Sequence, residues 1–216
     1  MEMPEELVPL IDWWEKDGKK TAAIVAVALV AVVAYKGFVA HREAKRVAAG
    51  DAVLTAYSAE QLEDAVSDYA GMAAEGALKL RLAKSYYDAG RYAEAKELYE
   101  SFGGKGPEGF EDVPAVGIAM CLEGLEDYDG ALAAFGAFAE ANPDSLYALT
   151  AKLGAARIVA LKGDRDAGVK AIEALKEEVK DDENASAVVE AMLDTVRRIS
   201  PAVPEVAEPA VLENQG

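Results

Sequence analysis

His41 and Cys121 carry the most readily reactive side chains in this sequence, and each residue type occurs once. A cysteine nucleophile needs a base beside it, and a metal centre needs three or four ligands at set spacings. His41 adjoins Arg42 and lies 80 residues before Cys121. Neither has a second histidine or cysteine with which to build a ligand set. A lone cysteine closes no internal disulfide and reads as a small buried apolar side chain. His41 reads as a residue at a membrane edge rather than a base, and the serines have no histidine to activate them. Phe102-Gly103-Gly104-Lys105-Gly106-Pro107 is glycine-rich, but it lacks phosphate-loop spacing and ends in proline instead of opening a helix. It reads as a connecting loop. Asp181-Asp182 reads as solvated charge at a helix end. No catalytic, metal or cofactor site is expected, and neither an enzyme nor a small-molecule substrate.

The charge balance narrows the partners. The net charge is −17, and from Lys36 onward 33 acids face 19 bases. A surface of that sign repels nucleic acid and anionic lipid, and no interleaving of basic and aromatic residues points to nucleic-acid binding.

The elements that could position a binding surface are clearer. Thr21–Ala40 is a twenty-residue run with one charge, Lys36. As a helix it spans about 30 Å, the thickness of a bilayer's hydrocarbon core. Seven branched aliphatic residues, Ile24, Val25, Val27, Leu29, Val30, Val32 and Val33, favour insertion by roughly 2–4 kcal/mol together. Trp13 and Trp14 before the run and Tyr35 near its end suit the two interfaces, where Lys36 can snorkel. Val32-Val33-Ala34 could serve as a signal-peptide cleavage site, but the preceding segment holds six acids against three lysines. That favours a retained anchor. A buried core helix is a weaker reading, because the run has no polar face. Orientation stays open on charge: Lys16, Lys19 and Lys20 flank one end, and Lys36, Arg42, Lys45 and Arg46 the other.

Beyond the run the chain repeats. Tyr92, Ala95, Tyr99, Phe102 and Pro107 recur 36 residues later as Tyr128, Ala131, Phe135, Phe138 and Pro143. Leu78, Leu82 and Tyr86 make one helical stripe, Gly90 suits a turn, and Tyr92, Ala95, Leu98, Tyr99 and Phe102 make a second stripe. The product is a helix hairpin with an apolar flank that must stack on a neighbour. The pattern resembles the tetratricopeptide repeat. Leu82, Ala83, Tyr86, Ala95, Tyr99 and Pro107 match its signature, as do Ile118, Ala119, Ala131, Phe135 and Pro143. Lys79 stands at the tryptophan position, and Glu126 replaces the second turn glycine. A third unit, turning at Gly163-Asp164, lacks the closing proline.

The expected class is all-α: one N-terminal transmembrane helix followed by a tetratricopeptide-like α-solenoid. The expected order is a tail (1–20), the span (21–40), a leading hairpin (41–75), repeats (76–109, 112–145, 149–181), a capping helix (182–200) and a disordered tail (201–216). In tetratricopeptide arrays the first helix of each unit lines a groove. The positions so selected are Leu80, Lys84, Tyr87, Val116, Met120, Glu123, Leu153 and Arg157, each of which could instead serve packing between helices.

Ile11-Asp12-Trp13-Trp14-Glu15-Lys16-Asp17-Gly18-Lys19, Tyr35-Lys36-Gly37-Phe38, Leu82-Ala83-Lys84-Ser85-Tyr86-Tyr87 and Gly90-Arg91-Tyr92-Ala93-Glu94-Ala95 together resemble one bacterial family. This is the YfgM-like group, the ancillary subunit of the SecYEG translocon. The resemblance implies a single-pass protein of the bacterial inner membrane, N-terminus in the cytoplasm and repeats in the periplasm. It implies partners among translocon subunits, periplasmic chaperones or emerging exported chains. The alternative reading is a cell-envelope or division scaffold that binds one specific protein.

Overall fold

Long runs of Ala, Leu, Glu and Lys give this chain its helices, and no strand occurs among the described residues. The computed structural model describes residue 9, residues 13–103, residue 106 and residues 109–200. The expectation of disorder at 201–216, the first residues of the tail and the proline at 107 lie outside the described residues. The chain divides into two compact units, Met1–Thr55 and Ala56–Gly216.

The first unit is one rod. A π-helical turn, Trp14–Gly18, leads directly into α1, Lys19–Thr55. Its most apolar eighteen-residue window is wholly exposed. An unburied aliphatic surface of this length meets the requirements of a bilayer: every backbone group bonded within the helix, every apolar side chain facing outward. The chain thus has one helix long and apolar enough to serve as a single-pass anchor.

The second unit stacks helices in hairpins. In order they are α2 (Ala59–Asp68), α3 (Glu75–Asp88), α4 (Tyr92–Glu100), α5 (Val113–Gly124), α6 (Tyr128–Ala141), α7 (Ala148–Leu161), α8 (Arg165–Glu178) and α9 (Glu183–Arg197). Each packs against its neighbours in sequence, while α3, α5, α7 and α9 also touch one another in series. That double adjacency defines a solenoid of antiparallel pairs, α3/α4, α5/α6 and α7/α8, with α9 on the last pair.

Local chemistry sets the ends of these helices. Ser58 and Gln61 form a reciprocal capping box at the start of α2. Asp127, Asp164 and Asp182 each accept a hydrogen bond from the backbone N–H three residues on, opening α6, α8 and α9. The three hairpin turns share one geometry. Gly90, Glu126 and Gly163 all take left-handed φ, at 75°, 62° and 106°. The next N–H then reaches back five residues, Arg91 to Tyr86, Asp127 to Leu122 and Asp164 to Val159. This closing bond satisfies a carbonyl at the helix end. Glu126 therefore occupies a backbone state that its β-carbon disfavours.

The core repeats with the sequence. Ala95 and Ala131 are fully buried, and Tyr99, Phe102, Phe135 and Phe138 line the same sites one repeat apart. A third set follows 37 residues on: Gly168, Ile172 and Leu175 stand where Ala131, Phe135 and Phe138 stood. The small position tightens there. A β-carbon on Gly168 would come within 2.7 Å of the Ala156 carbonyl oxygen. Aromatic rings of one repeat also sit on glycines of the next. A β-carbon on Gly117 would meet the Tyr99 ring at 2.6 Å, and one on Gly154 the Phe135 ring at 2.7 Å.

Candidate protein-binding groove

The first helix of each hairpin touches its counterpart in the next, α3 against α5 and α5 against α7. A cleft of about 470 Å³ opens on this unit. Leu80, Arg81, Lys84, Ser85 and Asp88 of α3 make one side. Tyr57, Leu62, Tyr99, Phe110, Val113 and Tyr147 complete it. Tyr57 is 82% exposed and Phe110 about half so, giving the rim aromatic faces that reach solvent. Leu146, beside Tyr147, is 91% exposed.

The charges along the groove are largely committed to one another. Lys84 Nζ donates to both carboxylate oxygens of Asp88 at 2.6 Å. Arg81 donates to the Ala56 carbonyl oxygen at 2.6 Å. Further along, Arg157 on α7 donates to Glu123 on α5 at 2.5 Å, and both side chains are mostly covered. Tyr87 lies next to this pair. Burial, together with the Glu123 carboxylate, raises its phenol above the ordinary range, so it stays a hydrogen-bond donor. Its ring meets Tyr92 edge-on at 5.2 Å.

Of the eight groove positions expected from sequence, Leu80 and Lys84 line the cleft. Tyr87, Glu123 and Arg157 cluster on three successive first helices. Met120 is half-buried against the core around Phe135. Val116 and Leu153, 4% and 2% exposed, pack into core clusters. Tyr57, Phe110 and Tyr147 are cleft residues that sequence reasoning passed over. They lie in the approaches to helices, where no helical stripe marks them. One signal was present: Phe110 and Tyr147 stand 37 residues apart, the same offset that relates the second and third repeat cores.

Cys121 stays out of the groove's chemistry. Cys121 is fully buried, and burial pushes its thiol up to about 11, so almost none is thiolate at neutral pH. No group of three or more His, Cys, Asp or Glu suited to a metal ion occurs among the described residues.

A row of stacked helix hairpins with an aromatic-rimmed cleft along α3, preceded in the chain by one long apolar helix, defines the class of helical-repeat interaction proteins. Residues 12–137, more than half of the chain, match the family model of the tetratricopeptide repeat-like domain. The chain belongs to that family. The match begins ahead of Trp13 and takes in the apolar helix as well as the first hairpins. Neither a curated protein nor a solved structure shows significant similarity to the chain. Domains of this kind typically act as non-catalytic modules that bind other proteins.

Proposed function

We propose that this protein is a membrane-tethered helper of protein export, holding apolar segments of other polypeptides in the cleft beside α3. The observation that carries the reading is the pairing of an aromatic rim with internally neutralised charge. Tyr57, Phe110 and Tyr147 offer faces to a partner, while Lys84 pairs with Asp88 and Arg157 with Glu123. Such a surface gains affinity from apolar anchors and reads little charge, which suits varied clients more than one charged motif. Tethering supports the reading from the other side. A helix in the bilayer holds the cleft at high effective concentration near membrane exit sites, so weak contacts suffice. On this reading the N-terminus is cytoplasmic and the repeats are periplasmic. The resemblance to translocon-associated proteins points the same way.

The test uses the full chain in membranes. A photo-crosslinking residue at Tyr57, Phe110 or Tyr147 is expected to capture many exported chains in transit together with translocon subunits. One stoichiometric folded partner at all three positions would instead make the protein a dedicated envelope scaffold. A topology reporter fused after Ile199 is expected to report export, and retention in the cytoplasm would end the export reading.

A further inference from the structure

Although the chain as a whole is strongly acidic, its first unit is not. Between Lys16 and Arg46 seven bases face two acids, whereas the remainder of the chain sets 15 bases against 37 acids. The bases are also placed in a pattern. Lys16, Lys19 and Lys20 form one triad at i, i+3 and i+4, and Arg42, Lys45 and Arg46 form another with the same spacing. On a helix those intervals put three side chains on one face. The two triads are 26 residues apart along a rod that is helical throughout, Trp14–Thr55. At 1.5 Å per residue their separation is about 39 Å. A bilayer measures about 30 Å across its hydrocarbon and ~40–45 Å with its headgroups. The stretch between Lys20 and Arg42, whose one formal charge is Lys36, runs about 32 Å and fits the first span, and the triads fall at the two headgroup layers.

The partners of these cations leave them available. Among the described residues, only Arg46 of the six enters an ion pair, bidentate to Glu43. Arg42 lies 5.9 Å above the Phe38 ring and pairs with no carboxylate among the described residues. Trp13 and Trp14 adjoin the first triad and are half-exposed, at the depth where indoles prefer the interface.

We infer that the two triads are binding collars for the phosphate groups of anionic phospholipids, one collar in each leaflet. The inference rests on the proposal that α1 spans a membrane. It adds a ligand class: an acidic protein, whose repeats anionic lipid would repel, is held at the bilayer by two basic clusters. Each collar neutralises lipid charge locally, so the acidic solenoid need not approach the surface for the anchor to hold. The grip is electrostatic and weakens as salt shortens the screening length.

The experiment takes full-length protein extracted in mild detergent from membranes containing anionic and zwitterionic phospholipids, with co-purifying lipids quantified by native mass spectrometry. Wild-type protein is expected to retain anionic over zwitterionic lipid. K16Q/K19Q/K20Q and R42Q/K45Q/R46Q are each expected to lower that preference, by roughly fivefold per neutralised charge near the surface. Carbonate washing of the same membranes is the second measurement. Protein that resists carbonate but shows no anionic preference, or an equal one in both variants, overturns the collars and leaves the span standing. Protein that washes off overturns the span and the collars with it.

Discussion

Gly117 and Gly154 are the residues on which the stacking of the hairpins turns. Each lies inside a helix, where glycine costs about 1 kcal/mol relative to alanine. That cost is offset because each glycine receives the face of an aromatic ring from the preceding repeat, Tyr99 on Gly117 and Phe135 on Gly154. Adding one methyl group would push into the ring at 2.6–2.7 Å. Gly117→Ala and Gly154→Ala are therefore expected to destabilise the fold by about 1–3 kcal/mol in denaturant melts. Gly136→Ala is the control. It also lies inside a helix but has nothing within 4 Å of its added β-carbon, so the same change should stabilise by up to about 1 kcal/mol. Equal effects at all three sites would refute the ring-on-glycine account. The buried alanines at 95 and 131 were legible in the sequence through their repeat offset. The glycines were not, because a glycine in a helical run usually marks a turn.

At the scale of the element, the hairpin turn carries a second test. Three turns share one backbone path, yet only two have glycine at the left-handed position. Glu126 holds φ 62° with a β-carbon, a state that costs a non-glycine residue about 1–2 kcal/mol. Glycine there would lose more backbone entropy on folding, which returns part of that cost. Glu126→Gly is expected to raise stability by about 0.5–1 kcal/mol, read as a higher melting temperature with an unchanged helical spectrum. No gain, or a loss, would mean that the Glu126 side chain contributes something its exposed position does not suggest. The turn itself was predictable from the 36-residue repeat, even though the turn residue had changed. The third hairpin was legible as helices although it lacks a closing proline, and Asp182 nearby caps α9.

For the whole molecule, the buried ionisable groups set a limit at high pH. Burial pushes Tyr99 up to about 12 and Cys121 up to about 11, and both sit in the stacked core of the first two repeats. The folded state keeps these groups protonated above the pH at which the unfolded chain releases its protons. Their contribution to stability is thus intact below about pH 9 and lost as pH rises toward 11–12. An alkaline titration should show helix loss together with late tyrosinate absorbance in that window. If Tyr99→Phe removed absorbance near pH 10 and left the late fraction unchanged, Tyr99 would not be the tyrosine held by the core. The opposite end is milder. Glu94 and Glu190 are lowered by Arg91 and Lys176 hydrogen-bonded to them, but they are fully exposed. Any stability they lend is present above the ordinary carboxylate range and fades as pH falls through their lowered values. The sequence alone determined the helical class, the apolar run of Thr21–Ala40 and the repeat of hairpins. Those follow from patterns in which residues three, four or about 36 apart share an environment. Only the tertiary structure decided which groove positions are surface and which are core. Val116 and Leu153 go inside, while Tyr57, Phe110 and Tyr147, up to 90 residues apart, meet around one cleft. Periodicity reports which face of its own helix a residue occupies. What covers that face depends on how neighbouring hairpins stack, and that is fixed by contacts such as ring on glycine between residues remote in sequence.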